Sequence, residues 1–271
     1  MPHVKANDID IYYEFRGNPD GRTVVFVNGL LTDTASWNGH TPFFEERYRC
    51  LVYDCRGQGQ SSKPDEVYET RLHTADLAAL LDALDVQRAH IVGLSNGGAA
   101  VLDYAAGHPE RVEALVVSGA YANVDTILRT KLISWIRAME AGGSPLRFDV
   151  ATPWVWGGRF LEQNYERLLP FREKGVNMQI EWAMNLIKGA MVHDIRDRLP
   201  LVKAPTLVTV GEEDVLTPPA LSRYIAEQLP RGEFRLLDGL GHAAALEDVE
   251  GFSRVVLDFF ARVEANEMEG A

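Results

Sequence analysis

Gly93-Leu94-Ser95-Asn96-Gly97 sets a serine between two glycines, where two different sequence patterns meet. Ahead of it lies His90-Ile91-Val92, a short apolar segment of strand type. Behind it, residues 97–104 are rich in alanine and read as a helix. A strand turning this sharply into a helix holds its central residue in a strained backbone conformation, and only small neighbours leave room for it. The Ser95 hydroxyl is thereby left at the tip of the turn. A serine hydroxyl is a poor nucleophile until a base takes its proton, and an imidazole, with an ordinary pKa of roughly 6.5, suits that task. A carboxylate is then needed to fix the imidazole tautomer and stabilise its cation.

Candidates for both partners follow later in the chain. Gly239-Leu240-Gly241-His242 puts a histidine in a glycine-containing loop beyond the apolar run 233–237. His242 competes with His3, His40, His73, His90, His108 and His193. His90 opens a strand and His108 precedes Pro109 at a helix end, both natural structural positions, whereas His193 is a candidate for a pocket wall. For the acid, Glu212-Glu213-Asp214 offers three carboxylates in a row at the exit of the apolar run 204–211.

These groups need a scaffold that brings strand exits together. Residues 4–15 suggest a hairpin about Asn7-Asp8, and 23–27 and 49–53 are continuous apolar runs of the kind buried on both faces of a parallel sheet. Residues 112–117 and 206–210 read the same way, and 233–237 reads as a last strand. Helices are expected over 37–47, 70–84, 219–229 and 246–263, with a polar tail from 264 that frays. Strands alternating with helices imply an α/β fold with a doubly wound, mostly parallel sheet, which places ligands at the carboxyl ends of its strands. The alternation stops over 121–199, a mainly helical segment holding Trp135, Trp154, Trp156 and Trp182 with Met139, Met178, Met184 and Met191. It is expected to form a helical insertion with two compatible readings, since one helical face can do each job: a subdomain with its own small core, and a cap whose aromatic and methionine surface lines an apolar pocket.

Composition narrows the function classes. The 271 residues carry 27 Lys plus Arg against 39 Asp plus Glu, a formal net charge of -12, so nucleic acid is an unfavoured partner. Cys50 and Cys55 bracket an apolar run that, as a strand, holds them roughly 16 Å apart on opposite faces. They are therefore expected to be free thiols. No signal core and no run of about 18 apolar residues is present. The expectation is a cytoplasmic protein with no membrane partner, no metal cluster and no nucleotide fingerprint calling for a cofactor. A homodimer is left open.

The chain is similar to the α/β-hydrolase fold superfamily. The resemblance spans nearly the whole sequence and rests on Gly93 to Gly97, on Asp54-Cys55-Arg56-Gly57-Gln58-Gly59-Gln60-Ser61, on Gly211 to Asp214 and on Gly239 to His242. It implies a core of residues 1–120 and 200–271 with a cap at 121–199. It further implies Ser95 as nucleophile, His242 as general base and Asp214, over its two glutamate neighbours, as the orienting acid. Oxyanion donors would be the backbone N–H groups of Asn96 and Leu30, supported by Asn28 and Gly29. The family commonly has a histidine where this chain has Asn28, whose side chain is expected to brace the loop. Asn28-Gly29 also resembles hydroxyacyl transacylases within the superfamily. The glycine-rich stretch 54–61 is expected to be a structural turn with Asp54 and Arg56 paired.

The implied activity is cofactor-free hydrolysis of an ester or related acyl bond in a small, largely apolar substrate, through an acyl-enzyme. Acyl transfer, lactone opening, carbon–carbon bond hydrolysis and perhydrolysis share the same three residues. A hydrolase-derived ligand-binding protein with little turnover is the rival from another class.

Overall fold

The computed structural model describes residues 2–175 and 179–269. In chain order they form β1 (His3–Ala6), β2 (Ile9–Gly17), β3 (Arg22–Val27), α1 (Thr41–Phe44), β4 (Tyr48–Tyr53), α2 (Thr70–Ala83), β5 (Ala89–Leu94), α3 (Asn96–Gly107) and β6 (Val112–Ser118). Then follow α4 (Thr126–Val155), α5 (Gly158–Lys174), α6 (Ile180–Ala190), β7 (Thr206–Gly211), α7 (Pro219–Gln228), β8 (Gly232–Leu237), α8 (Ala244–Glu247) and α9 (Val249–Glu269).

The strands form one sheet in the order β1-β2-β4-β3-β5-β6-β7-β8. β2 runs antiparallel to both its neighbours, and every pairing from β4 to β8 is parallel. Burial explains the sequence patterns. β7 is buried at all six positions and reads as an unbroken apolar and threonine run, whereas β8 at the sheet edge alternates. One core packs Leu77, Leu80, Val101 and Ile225 from α2, α3 and α7 onto one face. The other packs Phe252, Val256, Phe259 and Phe260 from α9 onto the opposite face. Each such side chain contributes about 1.5–3 kcal/mol on burial. Cys55 belongs to the first core and Cys50 to the second, and both are free, as their odd spacing requires.

Between β6 and β7 the chain leaves the sheet for α4, α5 and α6. Its two ends meet again where Asn123 bridges Asp194 and the N–H of Ile195 donates to the Ala122 carbonyl at 2.9 Å. Two expectations need correction. Residues 37–47 are not one helix: a short 3-10 turn ends at Trp37 and α1 is a single turn with Pro42 in its first positions. The tail from 264 does not fray at once, because α9 continues to Glu269. Glu264 holds it down, accepting from the Tyr48 hydroxyl at 2.9 Å, His90 Nε2 at 3.0 Å and Arg47 at 3.0 Å.

Among the described residues no helix is long and apolar enough to cross a membrane. Burial of three histidines makes the fold acid-sensitive. His40, His73 and His193 lose so much hydration that their pKa values fall to about 4. Unfolded, each takes a proton at roughly 6.5, so between those values the unfolded state binds more protons. Their contribution is therefore complete above about pH 6.5 and drains as pH falls toward 4. The expected result is a urea midpoint that declines steadily from pH 7 to 4.5; a flat profile would contradict neutral burial of these rings.

Candidate active site

Ser95 stands between the end of β5 and the start of α3, with φ 52° and ψ -118°, the strained turn that the glycine spacing predicts. A Cβ on Gly97 would lie 2.4 Å from the Asn28 carbonyl oxygen, and one on Gly93 would lie 2.8 Å from that of Gly97. No other residue type fits either place. The Ser95 N–H donates to the Ser118 carbonyl at 2.8 Å, tying the turn to β6.

His242 Nε2 lies 3.0 Å from Ser95 Oγ, and its Nδ1 lies 2.8 Å from Asp214 Oδ2. Of the three carboxylates after β7, only Asp214 faces the imidazole. Glu213 accepts from the Gly158 N–H and Glu212 from the Gly239 N–H, each bracing a loop. Asp214 is 2% exposed, and Oδ1 accepts from the N–H groups of Leu216 and Thr217 at 2.9 and 2.8 Å. Those two donors fix Oδ1 in place and leave Oδ2 for the histidine.

Sequence reasoning missed Thr217. Its hydroxyl lies 2.9 Å from each of Asp214 Oδ2, the Gly119 carbonyl and His242 Nδ1, so it fixes carboxylate and imidazole together. The signal was available: an aspartate whose side chain caps the N–H groups two and three residues on, just ahead of Pro218-Pro219, is a turn with a known hydrogen-bond pattern. Glu247 was missed as well. It accepts from the N–H groups of Gly241 and Gly157, both at 3.1 Å, joining the histidine loop to the segment after α4. Burial raises its pKa despite those donors. The Ala243 N–H donates to the Val155 carbonyl at 2.8 Å and doubles that junction.

Facing Ser95 from the other side is the loop after β3. Asn28 is 2% exposed; its Nδ2 donates to the Tyr53 carbonyl at 3.0 Å and its Oδ1 accepts from Trp37 Nε1 at 2.7 Å. A short amide with one donor and one acceptor braces the loop from within. Gln58 Oε1 accepts from the Thr32 N–H at 3.0 Å and Asp54 Oδ1 from the Thr34 N–H at 2.7 Å, so the 54–61 turn supports it from below. The expected Asp54–Arg56 pair does not form. Arg56 is fully buried and bonds Asp76 at 2.7 and 2.8 Å, with Asp8 and Glu66 completing its fork, while Asp54 spends its charge on backbone N–H groups. Gly29 lies against Ser95, and Leu30 lines the same cavity. Asn96 opens α3, where backbone N–H groups lack intrahelical acceptors. Its side-chain oxygen accepts from the Tyr121 hydroxyl at 2.8 Å, and burial holds that phenol well above its usual pKa.

Ser95 and His242 open onto a cavity of about 230 Å³. Its outer wall comes from the helical segment: Leu128, Leu132 and Trp135 on the first half of α4, then Phe148, Val155 and Trp156. Of the expected lining, Trp135 and Trp156 are there, but Trp154, which packs against the core of the helical segment, Trp182, which sits beneath Lys63, and the methionines are not. Met139 is buried in the core of the helical segment, and Met184 and Met191 pack against that core; Met178 lies outside the described residues. His193 is also absent from the wall, packing edge-on against Tyr121 with ring centres 5.6 Å apart. The other histidines serve structure, as His40 does on Ser253 and His90 stacked on Phe260.

A buried carboxylate, an imidazole and a serine hydroxyl in one hydrogen-bonded line, beside unsatisfied N–H groups at a helix start, can move a proton off the serine and receive an oxyanion. The sheet order and the strand exits it brings together are those of one family, and its sequence model, the alpha/beta hydrolase fold, matches residues 22–249. The chain belongs to that family and is an α/β-hydrolase enzyme. It is 27% identical over 264 residues to a Caulobacter sp. (strain K31) protein named "Putative carbamate hydrolase RutD", covering 95% of this chain and 98% of that one. It is 26% identical over 257 residues to 3-oxoadipate enol-lactonase 2 of Acinetobacter baylyi, covering 93% and 94%. Among solved structures, MGS-M2, an alpha/beta hydrolase from a Medee basin deep-sea metagenome library, superposes with a TM-score of 0.89 at 30% identity, over 96% of this chain and 97% of that one.

Proposed function

We propose that this protein hydrolyses carboxylic esters through an acyl-enzyme, with Ser95 attacking the carbonyl. The observation that carries the reading is the line Ser95 Oγ, His242, Asp214, at 3.0 and 2.8 Å. His242 takes the Ser95 proton as the oxygen attacks and returns it to the leaving alcohol. Water, deprotonated by the same imidazole, then releases the acid. The backbone N–H groups of Asn96 and Leu30 receive the oxyanion, each worth about 3–4 kcal/mol in the transition state. Asn28 and Gly29 hold the Leu30 loop in place, and residues 121–199 act as a cap over the site.

Hydrolysis is favoured over acyl transfer because Asn28, the residue that raised transfer, is fully engaged in bracing its loop. The relatives named for lactone and carbamate cleavage act on bonds of the same class, which supports an acyl substrate. The cavity's apolar walls suit a short apolar body. The test is hydrolysis of methyl esters with acyl chains of two to ten carbons. The reading expects kcat/KM to rise with chain length by roughly threefold per methylene, then fall once the cavity is full. No hydrolysis of any ester would overturn it.

A further inference from the structure

Arg147 lines the same cavity as Ser95. It lies on the second half of α4, after the non-helical residues Gly142 and Gly143, where positions 147, 148, 151, 152 and 155 form the wall. That spacing is one face of a helix. Arg147 thus occupies the inward stripe, while Leu146 and Asp149 beside it are exposed. An arginine facing in and a leucine facing out reverse the order that solvation alone would select.

Among the described residues the guanidinium has no hydrogen-bond or ion-pair partner to explain its place. Its Nε is sealed from solvent without a hydrogen bond. Asp149, two positions on, faces outward and is held by Arg172 at 2.7 and 2.8 Å. No Asp or Glu lines the cavity among the described residues, so Arg147 is the one permanent charge on an otherwise uncharged wall. Burial, with no neighbouring charge opposing it, pulls its pKa down to about 10, yet it stays protonated at neutral pH. An unpaired, largely desolvated cation is costly unless an anion joins it, and a guanidinium fork matches a carboxylate through two parallel hydrogen bonds.

We propose that Arg147 binds a carboxylate on the substrate, remote from the bond that Ser95 attacks, so that the preferred substrates are esters with a short apolar body and a free carboxylate at its far end. The bond cleaved rests on the function proposed above; the carboxylate site does not. This replaces the expectation of a wholly apolar substrate with an apolar body that ends in charge.

Two matched pairs test it: monomethyl glutarate against methyl pentanoate, and 4-acetoxybutanoate against butyl acetate. Each pair differs in a terminal carboxylate, on the acyl side in the first and the alcohol side in the second. In at least one pair the wild type is expected to favour the charged member tenfold or more in kcat/KM. Arg147→Met should cut that member's kcat/KM about 100-fold, mostly through KM, and leave the neutral member within threefold. Because the substitution removes an unpaired, half-buried charge, the Tm should not fall. Where the esters are hydrolysed, no charged preference in either pair, or an equal loss on both members, would overturn the proposal. A binding measurement separates it from the catalytic reading. In Ser95→Ala protein, calorimetric titration of both charged esters should show Kd weakening at least 30-fold for at least one of them on adding Arg147→Met. A Kd unchanged for both overturns the carboxylate site. Weakened binding in a protein whose wild type hydrolyses none of the four esters supports the site and sinks the ester-hydrolase reading instead.

Discussion

Ser95→Ala is expected to lower kcat on any ester substrate by about 10⁴- to 10⁶-fold while leaving the fold intact. Alanine keeps the Cβ and removes only Oγ, whose hydrogen-bond partner is His242. The strained φ of 52° is enforced by β5, α3 and the close approach of Gly97 to the Asn28 carbonyl, none of which the substitution touches. Stability should therefore change by less than about 1 kcal/mol, a Tm shift of only a few degrees in a chain of this length. On the proposed mechanism, what remains is the help that the backbone N–H groups of Asn96 and Leu30 would give to a water-driven reaction. Residual activity above a tenth of wild type would remove Ser95 from the proposed role.

Asp214→Asn is the second large effect, expected at about 10⁴-fold in kcat. Oδ1 of the aspartate accepts from two backbone N–H groups, so an asparagine at this position must turn its oxygen toward Leu216 and Thr217 and its NH₂ toward His242. The imidazole then has to accept at Nδ1, which puts its proton on Nε2, facing Ser95. A base that already carries the proton cannot take one. Glu212→Gln and Glu213→Gln are the controls, since those carboxylates brace Gly239 and Gly158 and should change kcat by less than about threefold. A loss with Glu213→Gln comparable to that with Asp214→Asn would move the acid's role by one residue.

Local patterns carried most of the scaffold. The central strands are continuous apolar runs because the parallel sheet buries both faces, and the Ser95 turn is written in glycines whose Cβ atoms would strike backbone. What stayed hidden depends on contacts between distant parts of the chain. Arg56 sits two residues from Asp54 yet reaches Asp76 and Asp8, which no spacing rule links to it. The orientation of Arg147 could not be phased from sequence, because Gly142, Gly143, Pro145 and Pro153 interrupt the periodicity that would assign a face. The methionines were placed on the pocket by composition alone. In the fold Trp135 and Trp156 took that wall, while Trp154, Met139, Met184 and Met191 went into or against the core behind it. The turn that holds Thr217 to Asp214 was legible, but its contact with His242 exists only once β7 and β8 bring residues 214 and 242 together.

The central claim is that His242 activates the Ser95 hydroxyl. Its most direct test is incubation with a fluorophosphonate probe, with the adduct located by peptide mass spectrometry in wild type, Ser95→Ala and His242→Ala. The account predicts one adduct, on Ser95, absent from Ser95→Ala and reduced at least 100-fold in labelling rate in His242→Ala. A folded wild type that takes no label, or one labelled at Ser95 equally fast without His242, would contradict it.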